Sequence, residues 1–438
     1  MPVGAPPAAA VVGYVPFAAT QRSLESEWLS QQLGVRTRTV TLEPSWNEGG
    51  EHELPGRGKL TRACLPLLGL SSVVLEGPAG LLWAAVLRAQ GFRGSVAILP
   101  YVNPRGWRDV LAAMVYAHFA DPRDRVFVGS APSAAVYAAL GAPVVVGEPY
   151  GIDDELFRPR PGAEEVRADL DLPPGRLMLY AGRPQPDKDL HRLLRVGLKA
   201  RVLFPDLSVV VATHLVDNDH LRAVRQVLAH EPGVRFVLDP PRRRLAALYT
   251  VADVFVTATT SGYETFGRAP AEALACGCPA VGPRYDGLAE VLDQVGGTAV
   301  HVDVPAACEE PPVVDEGALL RAVYDVLSCA NPPVRAEIRH AADRRFARSR
   351  TIRQLRHLVD GSPPPPVRAL DPVALEVPRA WRARLSAVDA ATPEEALASC
   401  WATDQHEQLS RWDESFVTSV RRSLCPRGAT TRPSPPAR

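Results

Sequence analysis

An alternation limits what this chain can become. Short runs rich in β-branched residues recur along it, each followed by a segment of helical spacing. The series stops near the middle of the chain and then starts again. Strands joined through helices run parallel, and a parallel sheet must be covered by helices on both faces. The alternation therefore predicts an α/β chain of two consecutive doubly wound domains, each binding ligand beyond the carboxyl ends of its strands.

In the first series, residues 10–17, 35–42, 73–75, 95–99, 125–128 and 144–146 read as strands. Leu24, Trp28, Leu29 and Leu33 share a helical face, 60–68 reads as a short helix, and 80–89 and 107–119 read as helices. In the second series, 176–181, 208–213, 234–238, 254–257 and 280–281 read as strands. Its helices fall at 189–203, 220–230, 243–249, 269–275, 317–327 and 335–355. The join is Glu148-Pro149-Tyr150-Gly151-Ile152-Asp153, where Pro and Gly break any helix. The expected domains are 1–150 and 151–360, then a Pro-rich linker and helical extension over 361–425 and a disordered tail over 426–438. Four consecutive prolines inside 362–367 make that linker a stiff spacer. Trp381, Trp401 and Trp412 suit a segment that packs back on the body or joins two copies as a homodimer.

Composition removes several classes. At 438 residues the chain is long enough for two cores, and 49 basic residues balance 49 acidic ones, which argues against a broad nucleic-acid surface. No apolar run reaches the roughly 18 residues a membrane span requires. The apolar start at Ala8 lacks a basic segment before it, so it reads as a first strand rather than a secretory signal. The seven cysteines are scattered, without zinc-site spacing or a disulfide framework. Together these features point to a cytoplasmic protein.

Two stretches carry chemistry. In Tyr180-Ala181-Gly182-Arg183-Pro184-Gln185-Pro186-Asp187-Lys188-Asp189, a strand ends in glycine and a polar loop leads into a helix. Gly182 allows close backbone approach, the helix start favours an anion, and Arg183 and Lys188 add fixed positive charge. Such a loop cradles a diphosphate; the bland alternative is a solvated basic loop. In Ser261 to Gly277, small residues precede a helix with Pro270 in its first turn and Gly277 at its stop. Glu264 falls on the loop and Glu272 is expected in the first helical turn, where the dipole favours a carboxylate. Carboxylates so placed suit vicinal hydroxyls of a sugar and a ribose. Alternatively, Glu272 steadies the helix start and Glu264 is solvated.

Glu264 and Glu272, within Tyr-Glu-Thr-Phe-Gly and Glu-Ala-Leu-Ala-Cys-Gly, resemble the Glu-x7-Glu signature of the retaining family called glycosyl transferases group 1. The Gly-Arg-x4-Lys element ending at Lys188 resembles it too, as does Tyr150-Gly151-Ile152-Asp153 followed by Phe157-Arg158-Pro159. So does Leu248-Tyr249 with Asp253-Val254-Phe255-Val256. The likeness covers roughly residues 145–350, while the preceding part agrees in strand and helix order only.

The resemblance implies a GT-B fold, two Rossmann-like domains facing across a cleft, and a retaining, metal-independent transfer of a hexose-like sugar. It implies catalytic roles for Arg183, Lys188 and Glu264. Donor contacts would come from Gly182, Arg183, Lys188, Leu238, Glu264, Thr265, Phe266, Gly267 and Glu272, with the base near 237–239. The donor is a UDP- or GDP-sugar acting as co-substrate, with no cofactor and no metal; nucleic acid and a membrane span are not expected. Two departures mark the first domain. The loop Phe17-Ala18-Ala19-Thr20-Gln21-Arg22 lacks the family's glycines, and Pro100-Tyr101-Val102-Asn103 lacks its histidine. Acceptor candidates are Glu76, Tyr101, Asn103 and His118, the last also readable as a surface residue, together with the polar loop around Trp46, Asn47, Gly49 and Gly50. The acceptor reads as a small polar metabolite, with natural-product (antibiotic) biosynthesis as its setting. The competing readings are a sugar-nucleotide epimerase, a sugar phosphorylase, and a catalytically silent nucleotide-sugar-binding partner subunit.

Overall fold

The computed structural model describes residues 11–15, 30–40, 64–77, 80–104, 107–147, 151–214, 219–228, 231–261, 264–303, 312–329, 332–371, 373 and 375. The loops at 17–22 and 46–50, the part 21–29 of the helix read over 21–33, residues 148–150 of the join, and the extension and tail beyond 375 lie outside them. No helix among the described residues is long and apolar enough to cross a membrane. The chain divides into two compact units; of the described residues, those up to Gly147 and those from Ser349 on form one, and Gly151–Arg348 the other.

The first unit holds a parallel sheet in the order β2-β1-β3-β4-β5-β6. Its strands are β1 (Val11–Val15), β2 (Arg36–Thr39), β3 (Ser72–Glu76), β4 (Ser95–Leu99), β5 (Arg125–Val128) and β6 (Val144–Val146). Every residue of β3 and of β5 is buried, as expected for strands covered on both faces. Helices α1 (Gly80–Ala89), α2 (Trp107–Phe119) and α3 (Ala131–Ala139) link successive strands. Gly80 is required by closeness: a Cβ there would stand 3.1 Å from Ile98 Cγ2 and 3.2 Å from the Leu75 carbonyl oxygen.

The second sheet is also parallel and runs β12-β11-β10-β7-β8-β9. It comprises β7 (Leu177–Ala181), β8 (Ser208–Thr213), β9 (Val234–Leu238), β10 (Val254–Val256), β11 (Ala280–Pro283) and β12 (Thr298–Val300). Alternation along β7 divides the core. Leu177, Leu179 and Ala181 join one cluster with Leu248, Tyr249, Leu274 and Phe346, whereas Met178 and Tyr180 join another with Leu190, Leu194 and Val323. Around the sheet lie α4 (Glu165–Asp169), α5 (Leu190–Leu203), α6 (Asp219–Val227), α7 (Arg242–Val251), α8 (Arg268–Ala275), α9 (Asp286–Val295), α10 (Glu316–Ser328) and α11 (Pro332–Phe346). A two-stranded antiparallel ribbon, β13 (Val302–Asp303) with β14 (Val313–Val314), sits outside the sheet.

Three expectations are corrected. Helices α3, α4 and α9, strand β12 and the β13–β14 ribbon were not read from the sequence. The single helix expected over 335–355 is broken at Ala347, whose backbone bridges to Ile152, while the Ile152 amide donates to the Phe346 carbonyl at 2.7 Å. Beyond that break, α12 (Arg348–Leu355) and α13 (His357–Asp360) go to the first unit, so the second unit ends at Arg348 rather than at residue 360. Leu355 and Leu358 pack with Val74, Leu99, Phe127 and Val145, the Ser72 hydroxyl donates to the Leu358 carbonyl, and Arg125 Nε donates to the Pro365 carbonyl at 2.6 Å.

Gly151 is the tight point of this return. Its φ is 61°, and a Cβ there would meet Arg348 Cα at 2.7 Å and the Phe346 carbonyl oxygen at 2.9 Å. Gly151→Ala is expected to destabilise the fold by about 2 kcal/mol or more, because strain and overlap add. Thermal unfolding checks this, and an unchanged melting temperature would contradict the packing described.

Candidate functional site

Strand order in the second sheet reverses at β7, which has β10 on one side and β8 on the other. The chain leaves β7 and β10 in opposite directions around the sheet, and their carboxyl ends open a crevice between the two loops. Both chemistry-bearing stretches of the sequence emerge there.

After β7, the Gly182 amide still donates to Ala212 at 3.1 Å, and Tyr180 Oη donates to the Arg183 carbonyl at 3.0 Å. A Cβ at Gly182 would stand 2.7 Å from that phenol oxygen, so glycine is needed for the turn. Arg183 is exposed. A 3-10 turn, Pro186–Lys188, then buries Lys188 to 8% exposure. Asp189 follows with φ 44° and caps α5 by accepting from the Arg192 amide at 3.2 Å.

The loop after β10 is laced to that turn. Thr259 Oγ1 donates to the Asp187 carbonyl at 3.0 Å, the Ser261 amide donates to Thr259 Oγ1 at 3.3 Å, and the Glu264 amide donates to the Ser261 carbonyl at 3.1 Å. The result brings Lys188 Nζ to 2.5 Å from Glu264 Oε2, with the lysine side chain 10% exposed and the glutamate 18%. A charge-assisted bond at this depth is stronger than a surface ion pair, and each charge would be costly without the other.

From Glu264 the chain passes buried Thr265 and Phe266 to Gly267, which stands before α8 with φ 87°. Gly287 backs this loop: a Cβ on it would lie 2.6 Å from Phe266 Cα. Glu272 occupies the fifth position of α8, since the helix begins at Arg268. It is therefore in the second turn, not the first, because Arg268 and Ala269 are already helical ahead of Pro270. Tyr249 Oη donates to Glu272 Oε2 at 3.4 Å. Burial pushes the Glu272 carboxyl above its ordinary range, against the pull of Arg268 and Arg242. Burial, with Glu272 beside it, likewise raises the Tyr249 phenol.

Leu238 ends β9, and Asp239 after it adopts φ 49° and faces His214 at the end of β8, with Nδ1 2.8 Å from Oδ1. Neither His214 nor Asp239 was singled out as a pair by the sequence. The available signal was their position, one residue beyond adjacent strands. Tyr249 and Thr259 were also missed as site residues, because only the fold sets them against Glu272 and Asp187.

In the first unit, Glu76 and Tyr101 meet at the carboxyl ends of β3 and β4, Tyr101 Oη donating to Glu76 Oε1 at 2.6 Å. Glu76 and Asn103 are 3% and 1% exposed, and Tyr101 holds φ 62°, a left-handed conformation rare for a residue other than glycine. Tyr137 Oη fixes the same turn by donating to the Val102 carbonyl at 2.6 Å. His118 does not belong with them. It lies exposed in the last turn of α2, stacked edge-on against Phe119 at 4.9 Å. That helix carries the chain from the end of β4 back toward the start of β5, so its last turn lies at the opposite edge of the sheet.

Two Rossmann-like parallel-sheet units in succession, with this charged crevice in the second, define the GT-B fold. Residues 163–310, within the second unit, match the family model described as Glycosyl transferases group 1. Among curated relatives, D-inositol 3-phosphate glycosyltransferase 2 of Catenulispora acidiphila is 35% identical over 161 residues, 34% of this chain and 37% of that protein. The GDP-mannose-dependent alpha-(1-6)-phosphatidylinositol dimannoside mannosyltransferase of Mycobacterium tuberculosis is 29% identical over 187 residues, 41% of this chain and 48% of that protein. The chain thus spans less than half the length of either relative. Similar solved structures include sucrose-phosphate synthase from Thermosynechococcus elongatus, at TM-score 0.60 and 18% identity over 80% of this chain and 98% of that one. HepE of Anabaena, in complex with UDP and glucose, matches at TM-score 0.58 and 13% identity over 79% of this chain and 98% of that one.

The raised Glu272 carboxyl separates a structural role from a binding role. A carboxyl that holds its proton to higher pH in the fold than in the unfolded chain costs stability once pH rises through that window. At pH 8, Glu272→Gln is expected to keep or raise the melting temperature while weakening nucleotide affinity by about tenfold. A melting temperature several degrees lower would make the carboxylate a structural group.

Proposed function

We propose that this chain is a retaining, metal-independent glycosyltransferase. It moves a hexose-like sugar from a UDP- or GDP-sugar to a small polar acceptor. The observation that carries the reading is the largely buried Lys188–Glu264 pair, 2.5 Å apart on the loops that follow β7 and β10. A lysine there meets the donor diphosphate, and a glutamate there meets the sugar.

In the reaction, the diphosphate replaces Glu264 as the partner of Lys188, and Arg183 adds a second positive charge from the exposed side of the loop. The displaced carboxylate accepts a hydroxyl of the donor sugar. Glu272 accepts the ribose hydroxyls, while the Phe266 and Gly267 amides face the sugar and phosphate. The bond from the anomeric carbon to the phosphate oxygen breaks, and the acceptor oxygen bonds to that carbon from the same face. The acceptor proton passes to the departing phosphate oxygen. Lys188 and Arg183 stabilise the charge that grows on the diphosphate, which is work a metal ion does elsewhere. The name of one relative supports the acceptor, since inositol 3-phosphate is small and polar, and UDP and glucose bind a protein of the same fold. Glu76, Tyr101 and Asn103, at the carboxyl ends of β3 and β4, are the acceptor candidates of the first unit. A natural-product (antibiotic) pathway is the setting that the atypical first domain suggests.

Lys188→Ala is expected to lower kcat by about 10²–10³, as for loss of one charge-stabilising donor. Near-wild-type turnover would remove Lys188 from the mechanism. EDTA is expected to leave turnover intact and the product to keep the donor's anomeric configuration, read by NMR. Inversion, or full dependence on added metal, would overturn the proposed chemistry.

A further inference from the structure

Helices α7 and α8 both break a local rule. Each begins on an arginine, Arg242 and Arg268, and neither has an acidic residue in its first turn. The helix dipole favours acids at that place and opposes cations. Both helices start at the carboxyl edge of the second sheet, and both arginines act on one carboxyl, that of Glu272. Arg268 stands four residues before Glu272 on α8, so the two share a helix face. Arg242 is stacked over the Phe157 ring, its guanidinium carbon 5.2 Å from the centroid. Phe157 in turn packs edge-on against Tyr249, the ring centroids 6.0 Å apart, and Tyr249 Oη is the donor to Glu272 Oε2. Two more groups face this carboxyl. Asp153 opposes its ionisation but is itself paired with Arg348 at 3.2 Å, and the buried Cys276 thiol lies one turn further along α8.

Ionisation decides what Glu272 can do. A carboxylate accepts hydrogen bonds on both oxygens, whereas a protonated carboxyl turns one oxygen into a donor. Tyr249 already occupies Oε2 in part, so accepting two vicinal ribose hydroxyls as well requires the carboxylate. Burial favours the protonated form, and the two arginines at the helix starts work against it. We propose that Arg242 and Arg268 are positioning residues that hold Glu272 as a carboxylate, so that recognition of the donor's ribose hydroxyls is pH-dependent. The inference rests on the donor site proposed above. It explains why two helices at one edge tolerate a cation where the dipole opposes it.

The test is titration calorimetry of the full chain with UDP-glucose and with GDP-mannose, from about pH 5 to about pH 8. Their diphosphates have no proton to lose in that range, so any pH dependence belongs to the protein. Affinity in the wild type is expected to rise with pH and then level off, because Glu272 gives up its proton above the ordinary carboxylate range. The 2′,3′-dideoxy analogue of whichever sugar nucleotide binds should lack that rise. Arg268→Gln should move the rise to higher pH, with affinity about threefold weaker at the acid end and unchanged on the plateau. Arg242→Gln should act in the same direction, and Arg268→Lys should restore the wild-type curve in large part. A loss equal at every pH would make the arginine a direct ligand of the diphosphate. That result overturns the inference and leaves the donor site standing, as does a wild-type affinity without pH dependence or a dideoxy analogue that follows the same curve. Binding of neither sugar nucleotide at any pH overturns the donor site as well.

Discussion

Every strand of the second sheet runs the same way, and this one constraint places the rest. Parallel strands deliver all their following loops to one edge, and the reversal of order at β7 parts two of those loops so that a ligand can enter between them. Lys188 follows the first strand of the unit and Glu264 follows the fourth. The two residues are 76 positions apart in the chain, yet their side chains meet at 2.5 Å. The hydrogen bonds from Thr259 and Ser261 hold the two loops in register, so the ion pair inherits its geometry from the sheet.

The site carries its charges at some cost. Lys188, Glu264 and Glu272 are each wholly or partly removed from water, and burial above all drives Glu272 toward its protonated form. A fold selected only for stability would replace them with apolar side chains of similar volume. The same low-dielectric setting strengthens whatever they contact, which is the property a site for a charged leaving group requires. Glycine serves this arrangement at Gly182, where a side chain would strike the Tyr180 phenol that orients the loop.

The first unit uses the same physics with other residues. Glu76 and Tyr101 pair where β3 and β4 end, and buried Asn103 stands on the same turn. The unit is finished by the far end of the chain: α12 and α13 bring Leu355 and Leu358 into its core, and Arg125 holds the segment at Pro365. The Phe346–Ile152 hydrogen bond and the bridge at Ala347 mark where the chain turns from one unit to the other.

By itself the sequence determined most of the strands and most of the helices. Burial on both faces forces continuous apolar runs, and helical faces repeat with a period that any packing partner would demand. It also carried the glycine turn after β7 and a helix start after Gly267, though it set Glu272 one turn too early in that helix. It did not show the break at Ala347, since the pattern on either side is helical and only the pairing with Ile152 interrupts it. Helix α9 was hidden by the short strands around it. Nor could the sequence separate His118 from the other acceptor candidates, because distance along a helix does not say which edge of the sheet the helix has reached. Tertiary structure alone decided that Lys188 meets Glu264, that Tyr249 meets Glu272, and that His214 meets Asp239. Each of those contacts joins segments linked only through the sheet, and strand order, which no single segment encodes, is what sets them side by side.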